Sequence, residues 1–169
     1  ARVRGLGVEL ITDKTLKDRW RVYEIGLRST LEELSRLQNS TTIMTIDVPE
    51  LGIDDGCQNR ASKELDLGVF LLQDLVGGQP ADCYVPRYEF DTRTTRYHDL
   101  VKAVAAEFPA VLLFDPTEYF CDEMNCVGFN LKYGFLYQDV DHLSTAGSDY
   151  YAKYLAEFLK TSSSNETAK

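Results

Sequence analysis

The sequence predicts a three-layer α/β/α domain of the flavodoxin-like kind, a parallel sheet with helices on both faces. Two apolar runs, residues 41–48 (TTIMTIDV) and 111–115 (VLLFD), are β-branched or continuous enough to be strands buried on both sides. An amphipathic stretch, residues 96–108, delivers the chain into the second run across one proline, and a helix feeding a strand through a short loop is what a parallel sheet produces. The 169 residues suffice for one such domain with a real core and are too few for two comfortable ones.

Taken in order, residues 6–11 (LGVELI) read as a short strand. Thr30-Leu31-Glu32-Glu33 has the form of a capping box, the threonine hydroxyl accepting from the backbone of Glu33 and that carboxylate returning the bond. Leu27, Leu31, Leu34 and Leu37 then make one apolar helix face, which Trp20 and Tyr23 extend backwards, so the helix can begin as early as Lys14. Pro49 stops the strand of residues 41–48, and the acidic, glycine-bearing stretch 50–58 reads as a loop ending at Cys57. Residues 63–75 hold many apolar side chains without a clean period and are assigned to helix, broken by Gly77-Gly78-Gln79-Pro80. In the helix of residues 96–108, Tyr97, Leu100, Val101, Val104 and Phe108 share one face, and Pro109 ends it. A short strand, Phe135-Leu136-Tyr137, precedes a last helix over residues 145–160 whose core face carries Tyr150, Tyr151, Tyr154, Leu155, Phe158 and Leu159. The remaining TSSSNETAK has no core material and is expected to be a disordered tail, leaving residues 1–160 as the domain.

Composition narrows the function. A chain 44% hydrophobic and 27% charged is ordinary for a soluble protein, and no apolar run approaches the roughly 18 residues of a membrane span. The net charge of -9, without clustered Lys or Arg, argues against a nucleic-acid surface.

The chemistry concentrates between the short strand and the last helix, where a loop carries Asp139, Asp141 and His142. An aspartate three residues before a histidine in one turn can reach the Nδ1–H of that ring. It then fixes the tautomer and leaves Nε2 to take a proton from a nucleophile. A lone histidine is more often a surface or structural residue; the spacing and the place at a strand's carboxyl end weigh against that here. A different reading of the same residues has Asp139, Asp141 and His142 holding a metal, two hard oxygens with one imidazole, although no other ligand cluster is evident.

Ser144 reads as the N-cap of the last helix, accepting from the backbone of Ala146 or Gly147. Neither it nor Ser148 lies on a sharp glycine-flanked turn like a nucleophile elbow. Gly147 reads as a point of close helix-to-sheet approach, and His98, beside the core face of its helix, as a boundary residue. Tyr84, Tyr88 and Tyr133, placed in loops, either stack on sugars or plug the edges of a small core. Arg87 meets an acidic substrate or pairs with a surface carboxylate. Asn39-Ser40-Thr41 and Asn165-Glu166-Thr167 match the glycosylation sequon, which matters only in a eukaryote.

The whole string D-x-D-H-L-S-x-x-G-S, from Asp139 to Ser148, resembles the last conserved block of SGNH (GDSL-like) hydrolases and acyltransferases. It is most similar to the SGNH domain fused to membrane acyltransferases of the acyltransferase-3 family, and Arg19-Trp20 is similar to a short pair in those domains. The resemblance runs from about Arg19 to Lys160 and is strongest from Val111 onward. It implies that Asp139 and His142 complete a triad with a serine from a Gly-Asp-Ser block near the domain's start. No Gly-Asp-Ser occurs in the 169 residues, so the implied nucleophile lies outside this chain and the domain lacks its first strand-helix unit. The family's oxyanion donors, a glycine and an asparagine beside that block, have no match here.

The resemblance further implies transfer of an acetyl group onto or off a sugar hydroxyl of an extracytoplasmic glycan. The implied partners are a glycan acceptor, an acyl donor and a membrane acyltransferase domain in the same parent chain, and the chemistry needs no cofactor or metal. The alternative is a non-catalytic extracytoplasmic carbohydrate-binding or interaction domain on the same scaffold, and a third reading is an esterase with its serine elsewhere in the chain. The cysteines fall as two local couples, Cys57 with Cys83 and Cys121 with Cys126. The second encloses few residues, and the domains it resembles carry a similar pair just before the final block. Both couples are therefore expected to be disulfides, in an oxidising compartment. The rival, a zinc site, lacks C-x2-C spacing and a nearby histidine. No signal peptide is visible at Ala1, which suits a segment cut from a longer exported or membrane-tethered protein.

Overall fold

The β-branched run after Thr41 and the apolar run after Ala110 pair with each other. The computed structural model describes residues 18–37, 40–52, 57 and 83–166, and within it β1 (Thr42–Thr45) lies parallel to β3 (Val111–Phe114), Thr42 opposite Val111 and Thr45 opposite Phe114. The ladder continues one step, the N–H of Ile46 donating to the carbonyl of Phe114 at 2.9 Å. The fold is α/β, as the sequence predicts. The described residues belong to two compact units, Ala1–Ile46 with Thr94–Phe114, and Asp47–Arg93 with Asp115–Lys169. The expectations for residues 6–11, 14–17, 63–75 and 77–80 and for Asn39 lie outside the described residues.

In the first unit, α1 (Arg19–Ser35) starts at Asp18, whose carboxylate accepts the Trp20 N–H at 2.9 Å. This corrects the capping-box reading: Thr30 lies inside the helix and its hydroxyl donates to the Gly26 carbonyl at 2.9 Å, the back-bond of a mid-helix threonine. Leu27, Leu31 and Leu34 pack on Val104, Ala105 and Val111, whereas Leu37, beyond the helix end, is exposed. Arg28 clasps Glu107 with two hydrogen bonds of 2.9 and 2.6 Å and Glu24 with one of 2.9 Å.

The helix expected over residues 96–108 is α2 (Arg87–Ala105), which begins earlier and ends sooner. Pro86 precedes its first residue, where a missing N–H costs nothing, and Arg87 pairs with Asp91 one turn on at 2.9 Å. Its residues to Arg93 belong to the second unit and those from Thr94 to the first.

Among the described residues the strands of the second unit are short. β2 (Tyr84–Pro86) runs antiparallel to β4 (Asn125–Val127), and β5 (Phe129–Asn130) to β6 (Gly134–Phe135). Tyr84 and Tyr88 thus lie in a strand and a helix, not in loops. Among the described residues a single turn, α3 (Thr117–Phe120), and the long α4 (Thr145–Glu166) join these strands. The tail expected to be disordered from Thr161 is helical as far as Glu166, the Thr161 hydroxyl bonding back to the carbonyls of Glu157 and Phe158. The core joins Phe90, Phe120, Leu136, Tyr137 and Tyr150 with four cysteines, paired as Cys57–Cys83 and Cys121–Cys126. Gly128 has no room for a side chain: a Cβ would stand 2.6 Å from Cys57 Sγ and 2.9 Å from Cys83 Sγ. Tyr119 stacks on Tyr154 at 4.2 Å, and Tyr133 meets Tyr150 edge-on at 5.2 Å, so these tyrosines fill the core. Among the described residues no helix is long and apolar enough to cross a membrane.

The two disulfides close loops of unequal length, with sequence separations of 26 and 5. Replacing both cysteines by alanine is expected to cost about 3.5 kcal/mol for Cys57–Cys83 and about 2 kcal/mol for Cys121–Cys126. The check is the shift of the urea midpoint at constant slope, and an equal or greater loss for the short loop would contradict this order.

Candidate active site

The turn carrying Asp139 and His142 is built by a short antiparallel ladder within the second unit. The backbones of Tyr137 and Leu143 form a bridge, Gln138 N–H donates to the His142 carbonyl at 2.9 Å, and Ser144 N–H donates to the Leu136 carbonyl at 2.9 Å. The predicted strand is therefore shorter than expected: Phe135 closes β6, and Leu136 and Tyr137 enter the turn as wholly buried residues. The Tyr137 hydroxyl donates to the Pro49 carbonyl at 2.7 Å, fixing the turn's first shoulder. Burial, with the charge of Asp47, pushes that phenol well above its ordinary range.

Ser144 fixes the second shoulder. Its hydroxyl accepts the Gly147 N–H at 3.0 Å, the N-cap bond the sequence predicts, and donates to the Phe135 carbonyl at 2.6 Å. A hydroxyl so committed is a structural group. Gly147 makes the predicted close approach, since a Cβ there would fall inside the Leu136 carbonyl.

Between the shoulders the side chains fold back on themselves. Asp139 Oδ1 accepts the backbone N–H of His142 at 2.8 Å and of Asp141 at 3.2 Å, while both its oxygens stand 3.0 Å from His142 Nδ1. Asp141 Oδ1 lies 3.0 Å from the same ring nitrogen, a contact that spacing alone did not reveal. The imidazole is 72% exposed, and no described residue bonds its Nε2. The His142 N–H, then that of Asp141, and the ring together hold the Asp139 carboxyl down to about 2. The Asp139 hydrogen bond and charge, with the Asp141 charge behind them, raise His142 above the usual imidazole value. Near neutrality the turn thus presents a carboxylate at Nδ1 and an open Nε2 that takes up and releases a proton.

Asp139, Asp141 and His142 also bring one ligand atom each to within 4.8 Å of one another. In this arrangement Asp139 Oδ1 is bound to two main-chain N–H groups and both Asp139 oxygens face Nδ1, so the carboxylate is engaged with the ring rather than turned to a cation. The remaining candidates make other contacts. His98 belongs to the other unit, half-buried against the Tyr97 ring at 5.5 Å. Arg87 pairs with Asp91 at 2.9 Å and donates to the Asp122 carbonyl at 3.2 Å. Ser148 is an exposed residue in the first turn of α4. The paired cysteines are structural and fit an extracytoplasmic location.

These features define a class: an α/β protein with an acid-imidazole pair on the turn that opens its last helix. Comparison with family models gives the family, because the model of the SGNH domain (fused to AT3 domains) matches residues 4–157. The chain belongs to that family, and is an SGNH-type domain associated with acyltransferase and esterase chemistry. No curated protein and no solved structure matches it.

Because folded His142 holds its proton more tightly than an unfolded histidine, its contribution to stability is full below about pH 6.5 and disappears as the pH rises through the folded value. Asp139 contributes above about pH 4. That contribution is lost as the pH falls towards the carboxyl's folded value of about 2. An NMR titration of His142 should have its midpoint above about 6.5; Asp139→Asn should lower it, and by more than Asp141→Asn does. A midpoint in the original chain no higher than in an unfolded peptide would dissolve the pair. Gly147→Ala is expected to cost about 2 kcal/mol or more through the Leu136 carbonyl, read from thermal or urea unfolding.

Proposed function

We propose that this SGNH domain serves acyl transfer at the sugar hydroxyls of an extracytoplasmic glycan, as part of an O-acetyltransferase or esterase. The observation that carries this is the Asp139–His142 pair, with Nδ1 held at 3.0 Å on a ring that is largely exposed. The family setting, a domain fused to AT3 domains, supplies the acyltransferase context and a tether in the membrane.

In the proposed mechanism the nucleophile is a serine from a segment outside these 169 residues. His142 Nε2 takes the serine proton as Oγ bonds to the acyl carbonyl carbon, and Asp139 stabilises the imidazolium through Nδ1–H. The imidazolium then returns the proton to the leaving group as its bond to the acyl carbon breaks. A sugar hydroxyl, or water, attacks the acyl-serine ester in a second round of the same proton traffic. Transfer and hydrolysis differ only in that last acceptor.

A second reading has its own support. The 169 residues hold no Gly-Asp-Ser, and Tyr84 and Tyr88 are exposed to 43% and 69%, surfaces on which sugars stack. It makes the domain a carbohydrate-binding or interaction module without turnover.

In a longer form of the protein that carries a Gly-Asp-Ser block, p-nitrophenyl acetate turnover is expected, and His142→Ala should lower kcat by about 10⁴-fold or more. The rate should fall as acid protonates His142, with its midpoint on the high side of the ordinary imidazole range. Turnover that survives His142→Ala removes the ring from the mechanism, and absence of any such block in the longer sequence favours the binding module.

A further inference from the structure

One ring nitrogen at this site faces two carboxylates that are held in different ways. Asp139 is pinned to the main chain by the N–H groups of Asp141 and His142 and sets both oxygens 3.0 Å from Nδ1. Asp141 Oδ1 is equally close, at 3.0 Å, but off the line of a hydrogen bond, and the ring is its carboxylate's one contact among the described residues. With 46% of its side chain exposed, the Asp141 carboxylate has room to change rotamer beside Nδ1–H.

We infer that Asp141 is a second positioning residue for His142, a standby acceptor that keeps the ring proton on Nδ1 when Asp139 cannot. The inference rests on the reading of His142 as a base, which gives the tautomer its importance: with the proton on Nε2 the ring has no lone pair for a serine hydroxyl. Its physical core is independent of turnover. Asp139→Asn leaves an oxygen for the two main-chain N–H groups, and so preserves the turn, but offers an amide NH₂ to Nδ1. That donor draws the Nδ1 lone pair and sends the proton to Nε2. A full negative charge 3.0 Å from Nδ1 opposes the change, because it is lowest in energy with the proton beside it.

The test is the nitrogen-15 spectrum of the His142 ring in the 169-residue chain, recorded well above the ring's titration, with main-chain amide shifts confirming that the turn is intact. The Nδ1–H form is expected in the original chain, in Asp141→Ala and in Asp139→Asn, and the Nε2–H form in Asp139→Asn/Asp141→Ala alone. In a serine-bearing form, Asp139→Asn should then lose far less than the about 10⁴-fold in kcat of a triad with a single carboxylate, and the added Asp141→Ala should restore the full loss. An Asp139→Asn ring already in the Nε2–H form overturns the inference. Spectra in the expected order, with turnover indifferent to His142→Ala, uphold the role of Asp141 in setting the tautomer and remove the base instead.

Discussion

The site depends on a single oxygen atom. Asp139 Oδ1 accepts two successive main-chain N–H groups, and in doing so bends the chain so that the residue three places on lies back over the same carboxylate. The bond that makes the turn and the bond that orients the ring are therefore not separable: local folding of these few residues already places an acid against an imidazole. The ladder on either side, through Tyr137 and Leu143 and through Leu136 and Ser144, holds the ends of the turn at a fixed width. Because the acid is only partly buried and the ring largely exposed, the pair acts through hydrogen-bond geometry and short-range charge more than through a low-dielectric setting.

The surroundings of the turn explain why so short a ladder holds. Among the described residues its unit has strands of two and three residues, too little sheet to be stable by pairing alone. What replaces sheet is an aromatic core with two disulfides inside it, and Gly128 lets the chain cross directly over the sulfurs of one of them. Such a core belongs to a compartment where disulfides persist, which agrees with a family whose SGNH domains are joined to AT3 domains.

The sequence is most legible where the determining contacts are local or the apolar pattern is continuous. The runs that become β1 and β3, the D-x-x-H turn, the Ser144 cap and the tight place at Gly147 all fall in that class. Legibility fails where a local signal is ambiguous. Thr30-x-x-Glu33 has the letters of a helix start, yet Asp18 caps α1 upstream and the threonine simply bonds one turn back. The start of α2 at Arg87 is hidden because its first turns bury little besides Phe90 and rely on the Arg87–Asp91 pair, a signal that hydrophobic periodicity does not register. The polar end of α4 stays helical through back-bonding that composition does not reveal. The approach of Asp141 to Nδ1 is likewise invisible in spacing, since neighbours in sequence meet only when a turn folds one side chain across the other.

Gly147 carries a consequence for motion. With the first turn of α4 resting against the Leu136 carbonyl, and that carbonyl also taking the Ser144 N–H, the peptide plane between residues 136 and 137 is clamped from two directions. The main chain at that shoulder is held by these contacts, while an exposed side chain such as the imidazole rotates about its χ angles in picoseconds to nanoseconds. A group brought to this ring would therefore meet many ring orientations within one encounter, over a shoulder of the turn that stays in place.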